Sequence, residues 1–297
     1  MPTQPVRLAT RGSELARWQA GRVASMLDAP TELVIVTTTG DRRADVPIHT
    51  IGGTGAFVKE VEEAVLDGRA DVAVHSGKDL PSALPDGLVL AAVPERADPR
   101  DALVGRGLDE LPTGGRVGTG SVRRRAQLAA LRPDLLFGEL RGNIPTRVAR
   151  SREFAAVVVA YCALQRLGLD DRVAQVLDPS TLVPQVAQGA LAVECRADDA
   201  RALELLGAVD DRRAHRAVDA ERAFLAELGG GCNLPCGALA TDRDDGGLAM
   251  RALVASLDGR VVLRAEVSGD DPRALGVEAA RRLVLESGGS ALLDDAA

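Results

Sequence analysis

Between residue 6 and about residue 196, short runs rich in Val, Ile, Leu and Thr alternate with longer stretches in which apolar residues recur every three or four positions. The short runs predict strands at 6–10 (VRLAT), 32–38 (ELVIVTT), 71–76 (DVAVHS), near 116–120 (RVGTG), 134–140 (DLLFGEL), 154–160 (FAAVVVA) and 189–196 (GALAVECR). The amphipathic stretches predict helices at 14–27, capped by Ser13, and at 56–68, 121–132 and 162–168. Strand and helix in alternation is the signature of an α/β protein with largely parallel sheets. From about residue 211 the pattern changes. A long amphipathic helix (211–228), a glycine-rich loop, strands at 248–256 and 260–267 around a turn at Asp258 and Gly259, and a helix near 272–286 predict a separate α+β unit.

Composition sets outer bounds. The chain has 297 residues, 46% hydrophobic and 27% charged, with no apolar run near the ~20 residues needed to cross a bilayer. Two or three soluble domains are expected, with no membrane association. The N-terminal MPTQPVRLATRGS lacks the charged start and apolar stretch of a secretory signal, so the expected compartment is the cytoplasm. There the four cysteines are expected as thiols; Cys162 and Cys195, in apolar runs, read as buried small side chains. A net charge of −7 argues against a nucleic-acid partner. The charge is uneven, however. Residues 100–166 hold twelve arginines against six acids, +6, leaving −13 for the rest, which points to a focused anion site.

Three stretches carry candidate chemistry. GTGSVRRR (118–125) places glycines after a strand and opens a helix, so free backbone N–H groups turn toward any bound anion. It lacks the third glycine of a dinucleotide fingerprint and the lysine-hydroxyl pair of a P-loop. Arg123, Arg124 and Arg125 cannot share one helix face, so one of them is expected on a solvated side. LRGNIPTR sets Arg141 and Arg147 on either side of a turn at a strand's carboxyl end, and Arg11 and Arg166 occupy similar loop-edge positions. Several planar guanidinium forks suit a ligand with several carboxylates. HSGKDLP supplies Asp79, either a turn stabiliser or a carboxylate able to stabilise a developing positive charge. In ELGGGCNLPCG, Cys232 follows three glycines, where a side chain has little to pack against. The Cys232/Cys236 pair has no matching second pair, so no metal site is expected.

ATRGS, GGTGAFVKE, DVAVHSGKDLP, PRDALV, VGTGSVRR, LRGNIPTR, LQRLGL, AQGALAVECR, AERAFLAELGGGCNLPCG and MRALV occur in this order over residues 9–255. Together they resemble hydroxymethylbilane synthase, also called porphobilinogen deaminase. The resemblance implies an α/β fold of two periplasmic-binding-protein-like domains joined by a double crossover, plus a smaller C-terminal α+β domain. The implied domains are 1–96 with 190–209, 97–189, and 210–297. It also implies a transferase of porphyrin and heme biosynthesis that acts as a monomer. In that family the cysteine matching Cys232 holds a dipyrromethane cofactor by a thioether. Four porphobilinogens are added to this primer, each losing ammonia, and the linear tetrapyrrole is released by hydrolysis.

Carried over position by position, the resemblance makes Asp79 the catalytic carboxylate, which accepts the ring N–H and offsets the positive charge formed as ammonia leaves. Ser76, Lys78, Ser121, Arg123, Arg124 and Arg147 become cofactor-binding residues. Arg11, Ser13, Phe57, Arg141, Arg166 and Gln188 become substrate-binding residues, with Gln188 in the match to a GQG motif. Thr54 stands where many relatives have lysine, Gly77 where a larger apolar residue is usual, and Gly120 where serine is common. None of these departures touches Asp79 or Cys232, although Thr54 and Gly77 keep a catalytically weakened paralogue open. Cys236 is an extra thiol that can oxidise with Cys232 and block attachment. A solute-binding protein of the same fold would need an export signal or a tether and gives a loop cysteine no role. The effector-binding half of a transcription regulator would need a helix-turn-helix, which neither end supplies.

Overall fold

The computed structural model describes residues 4–42, 55–230 and 234–294. These form two compact units: residues 1–97 with 190–218, and residues 98–189 with 219–297. The chain therefore passes between units after residues 97, 189 and 218.

The first unit is built on a five-stranded sheet of order β2-β1-β3-β10-β4. It contains β1 (Val6–Arg11), α1 (Glu14–Ala24), β2 (Thr31–Val36), the short α2 (Thr39–Arg42), α3 (Lys59–Leu66), β3 (Val72–Ser76) and β4 (Leu88–Ala92). β1 runs parallel to β2 and β3, whereas β10, which returns after the second passage, is antiparallel to β3 and β4. Alternation along the strands sorts side chains onto two faces. Leu8, Val72, Val74 and Val193 pack with Ala20 and Val23 of α1, while Ala9 and Ala73 pack with Val61, Ala64 and Val65 of α3. Each fully buried aliphatic side chain contributes roughly 1.5–3 kcal/mol. The central strands β1 and β3 are thus packed on both faces.

The second unit repeats this order as β7-β6-β8-β5-β9. Its elements are β5 (Asp101–Val104), β6 (Arg116–Gly118), α4 (Val122–Leu131), β7 (Leu136–Gly138), α5 (Ile144–Ala149), β8 (Ala156–Ala160), α6 (Tyr161–Arg166) and β9 (Val173–Leu177). Here β6 pairs parallel with β7 and β8, and β5, which follows the first passage, is antiparallel to β8 and β9. In each sheet the antiparallel strand is the first one formed after the chain crosses. This is the two-sheet, double-crossover topology expected for the periplasmic-binding-protein-like class.

β10 (Leu191–Arg196) and α7 (Ala200–Gly207) complete the first sheet's surroundings, and α8 (Arg212–Glu227) leads into the C-terminal part. That part is a three-stranded antiparallel sheet, β11 (Cys236–Asp242), β12 (Leu248–Ala255) and β13 (Val262–Gly269), with α9 (Pro272–Arg281), a π-turn over Arg282–Glu286 and α10 (Ser290–Asp294). It packs within the second unit through Ala126 of α4, Val183, Leu253 and Ala255. The β12–β13 turn contains Asp258 and Gly259 as read from sequence, but spans six residues, with Ser256 N donating to Val261 O. Gly259 has φ +74°, and a Cβ there would meet Ala126 O at 2.2 Å, so the turn and α4 touch through backbone.

Candidate functional site

In the first unit the predicted residues gather at the carboxyl ends of β1 and β3, which are adjacent and parallel. Arg11 is the last residue of β1. Its Nε donates to Asp41 Oδ2 at 3.3 Å, and its guanidinium lies 4.2 Å from the Phe57 ring centroid, a cation–π contact. Burial raises the Asp41 carboxyl, but Arg11 and the N–H and hydroxyl of Thr38 more than reverse this and leave it below its ordinary value. Two residues past Arg11, Ser13 caps α1 by accepting from Ala16 N at 3.2 Å.

β3 ends in Ser76 and runs directly into a 3₁₀ turn over Gly77–Asp79. The turn is tied down twice. Gly77 N donates to Ala190 O at 2.9 Å, and Ser76 exchanges hydrogen bonds with the buried amide of Gln19 on α1, at 2.7 and 3.1 Å. Gln19 thereby links the helix that Ser13 starts to the turn that carries Lys78 and Asp79, both half-buried. Gly77 itself is buried, so the small residue sits in the packed part of the turn.

In the second unit the arginines again follow the carboxyl ends of parallel strands. Ser121, after β6, caps α4 by accepting from Arg124 N at 3.4 Å. The three arginines that follow separate by face: Arg125 is exposed, whereas Arg123 and Arg124 are buried. Arg123 and Arg124, expected as cofactor-binding residues, both hold one buried acid. Asp101, fully buried at the start of β5, receives Arg123 Nη2 at 2.8 Å and Arg124 Nε and Nη2 at 3.0 and 2.7 Å. Arg123 Nη1 donates to Val183 O at 2.6 Å and Arg124 Nη1 to Val158 O at 3.1 Å. Gln188, also buried, donates to Asp101 Oδ1 at 2.9 Å and to Pro99 O at 2.7 Å. Burial raises the Asp101 carboxyl, and the charges of both arginines with the Gln188 hydrogen bond outweigh it, bringing it down to about 2.

Two cations on one carboxylate leave this cluster with one positive charge in excess, and Arg123 Nε is buried with no hydrogen-bond partner. An uncompensated buried cation favours a further anion. LRGNIPTR is a helix start rather than a turn. Asn143 Oδ1 accepts from Thr146 N at 2.9 Å, so Arg147 rides on α5, its Nε donating to Gly142 O at 2.7 Å, while the half-buried Arg141 precedes the cap. Arg166, at the end of α6, donates to Gly189 O at 2.7 Å, next to Gln188; burial lowers its guanidinium.

Cys232 and Thr54 lie outside the described residues. Cys236 opens β11 fully buried, unlike a thiol exposed for oxidation. Cys162 and Cys195 are buried, and burial pushes the Cys195 thiol up to about 11. Among the described residues no His, Cys, Asp and Glu group could hold a metal ion, and no helix is long and apolar enough to cross a membrane.

Residues 6–204 match the family model "Porphobilinogen deaminase, dipyromethane cofactor binding domain", and residues 215–284 match "Porphobilinogen deaminase, C-terminal domain". The chain belongs to the porphobilinogen deaminase family. Relatives of that name agree: one from Roseiflexus castenholzii is 49% identical over 96% of this chain and 97% of its own. Another, from Roseiflexus sp. strain RS-1, is 48% identical over 98% and 99%, and one from Syntrophobacter fumaroxidans is 43% identical over 99% of each. Among solved structures, a TRAP periplasmic solute binding protein from Ralstonia eutropha H16 with bound (S)-2-acetolactate aligns at TM-score 0.40 and 14% identity, over 75% of this chain and 81% of that one. The cofactor-binding model covers every arginine discussed above.

Proposed function

We infer that the protein is a hydroxymethylbilane synthase, a transferase that works in the cytoplasm as a monomer and takes porphobilinogen as substrate. The observation that carries this reading is the buried pair Arg123 and Arg124, left with one positive charge beyond what Asp101 neutralises. A dipyrromethane held as a thioether on Cys232 supplies the pyrrole carbon to which four porphobilinogens are joined in turn before water releases the linear tetrapyrrole. Each joining step forms one carbon–carbon bond, releases ammonia from the incoming aminomethyl group and loses one ring proton. Arg123 and Arg124 provide the standing positive field for cofactor carboxylates, with Arg147, Ser121, Ser76 and Lys78 as further contacts. Arg11, Arg141 and Arg166 receive substrate carboxylates, Ser13 and Gln188 add hydrogen bonds, and Phe57 packs beside Arg11. Asp79 acts on the reacting pyrrole. As ammonia departs, the ring becomes cationic, so a carboxylate that accepts its N–H stabilises the transition state more than the neutral ground state.

Intact mass under denaturing acid tests this reading. Protein made in cells that synthesise porphobilinogen should carry two pyrrole units; Cys232→Ser should lose them and Cys236→Ser should keep them. Folded, homogeneous protein without the adduct would overturn it.

A further inference from the structure

Three titratable side chains are buried in the first unit and enter none of the steps above: Glu62 of α3, His75 of β3 and Glu194 of β10. In the antiparallel β3–β10 pair, Glu194 stands opposite Ala73 and Ala192 stands opposite His75. Opposite and alternate residues share a face of a sheet, so these four lie on the side where Ala73 packs against α3. Glu62 is buried on that helix. His75 Nε2 lies 3.1 Å from Glu194 Oε2, close enough for an ion pair although not aligned as a hydrogen bond. Among the described residues, that nitrogen and both Glu194 oxygens have no hydrogen-bond partner. Their mutual attraction offsets part of their desolvation, and either one alone would be a costly buried polar group.

The pair stands at the foot of the turn that carries Asp79. His75 is followed by Ser76 and then by Gly77, whose N–H donates to Ala190 O just ahead of β10. Beyond Asp79 the turn closes on the same face, where Leu80 packs with Val58 and with Ala192, the residue opposite His75. The turn is therefore held to the β10 segment at both ends, and the alignment of β3 on β10 decides where it points. Apolar contacts are non-directional, whereas the attraction between a nitrogen and an oxygen depends steeply on their separation. We propose that His75 and Glu194 are positioning residues for Asp79: their buried contact locks β3 against β10 at the start of the Gly77–Asp79 turn and so fixes where the Asp79 carboxylate stands. This rests on the role given to Asp79 above. The pair acts on the placement of a charge that stabilises the transition state, so its effect falls on turnover and little on substrate binding.

Glu194→Leu removes both oxygens, and the double variant His75→Phe with Glu194→Leu replaces the whole pair by apolar side chains, an exchange that is commonly near neutral for stability. Formation of hydroxymethylbilane by adduct-bearing protein is followed against porphobilinogen concentration, and urea unfolding reports stability. Both variants should turn over more slowly than wild type by about tenfold or more, as expected for a misplaced reacting group. KM for porphobilinogen should stay within about threefold of wild type. Stability should return in the double variant while turnover should not, which separates positioning from a merely structural part. In protein that already carries Asp79→Asn, adding Glu194→Leu should slow turnover by less than about threefold, since the charge being placed is gone. Should Glu194→Leu not fold, the double variant carries the same test. Near-wild-type turnover in the folded variants, turnover that returns together with stability, or an equal loss with and without the Asp79 charge overturns the proposal. If wild-type protein forms no hydroxymethylbilane, it is the functional reading that fails.

Discussion

Replacing Asp101 by Asn should be the most damaging single-atom exchange in the second unit. Asp101 Oδ1 accepts from Arg124 Nε, Arg124 Nη2 and Gln188 Nε2, and Oδ2 accepts from Arg123 Nη2. An asparagine oxygen placed at Oδ1 keeps three of these bonds, but its N–H₂ then meets the Arg123 Nη2 donor. Two guanidinium groups remain in a site with 2% and 7% side-chain exposure and no counter-charge. The lowered Asp101 value, about 2 against an ordinary 3.8, corresponds to roughly 2.5 kcal/mol for ionising the carboxyl in place. The donor clash and the unpaired cations add to it, so the figure for a broken buried pair, about 3–5 kcal/mol, governs. That is a large share of the ~5–15 kcal/mol that holds a domain together. Because the folded carboxyl titrates below the unfolded one, wild type has this stability above pH about 3.8 and loses it as pH falls toward about 2. Urea unfolding followed by far-ultraviolet circular dichroism at pH 7 and at pH 3 measures both effects. Asp101→Asn should be less stable by about 3–5 kcal/mol at pH 7, and the gap from wild type should narrow at pH 3. A variant within about 1 kcal/mol of wild type at pH 7 would refute the cluster's energetic role.

Asp79→Asn keeps size and some hydrogen bonding but removes the charge; in single-turnover assays of adduct-bearing protein it should form hydroxymethylbilane about 10²- to 10³-fold more slowly, and near-normal turnover would remove Asp79 from the chemistry. Arg141→Leu should impair elongation roughly tenfold or more, the cost of one charge-assisted hydrogen bond, while Arg125→Leu on the exposed face of α4 should change it little. Equal effects at both positions, read from product formation rates, would refute the separation of roles.

Periodicity alone located the central strands and the longer helices, because β1, β3, β8, α1, α4 and α8 have enough residues to display their apolar faces. β4, β5, β9, α7 and β11 were not read. β5 offers only DALV, too short to separate from a loop, and β11 opens with Cys and Gly, which disguise its alternation. The antiparallel entry of β5 and β10 is set by the crossovers rather than by any local pattern. At the site, chemical type and strand-end position exposed Arg11, Asp79 and the arginine segment. Asp101 and Gln19 were missed, although PRDALV was among the motifs quoted for the family resemblance. A carboxylate opening an apolar run inside a segment dense in arginine was the available signal for Asp101. Gln19 sits on an amphipathic helix where a polar residue ordinarily reads as solvated, and only packing shows that it faces inward.

The two acids that hold arginines here suggest why the arginines divide into two kinds. Arg11 and Asp41 keep 22% and 26% of their side chains in solvent. A pair that exposed is worth about 0–1 kcal/mol, so an incoming carboxylate can displace Asp41 at little cost, and Asp41 regains water when released. Phe57 lies against the same guanidinium, 4.2 Å from the ring centroid. Asp101 has no such exit, since it is fully buried and its loss as a partner costs several kcal/mol. Arg123 and Arg124 therefore cannot exchange Asp101 for a ligand in each cycle. What they offer is a permanent single charge and the unsatisfied Arg123 Nε, which suits a group that arrives once and stays. An exchangeable arginine fits a substrate that is replaced at every addition, and a locked pair fits a cofactor that is not.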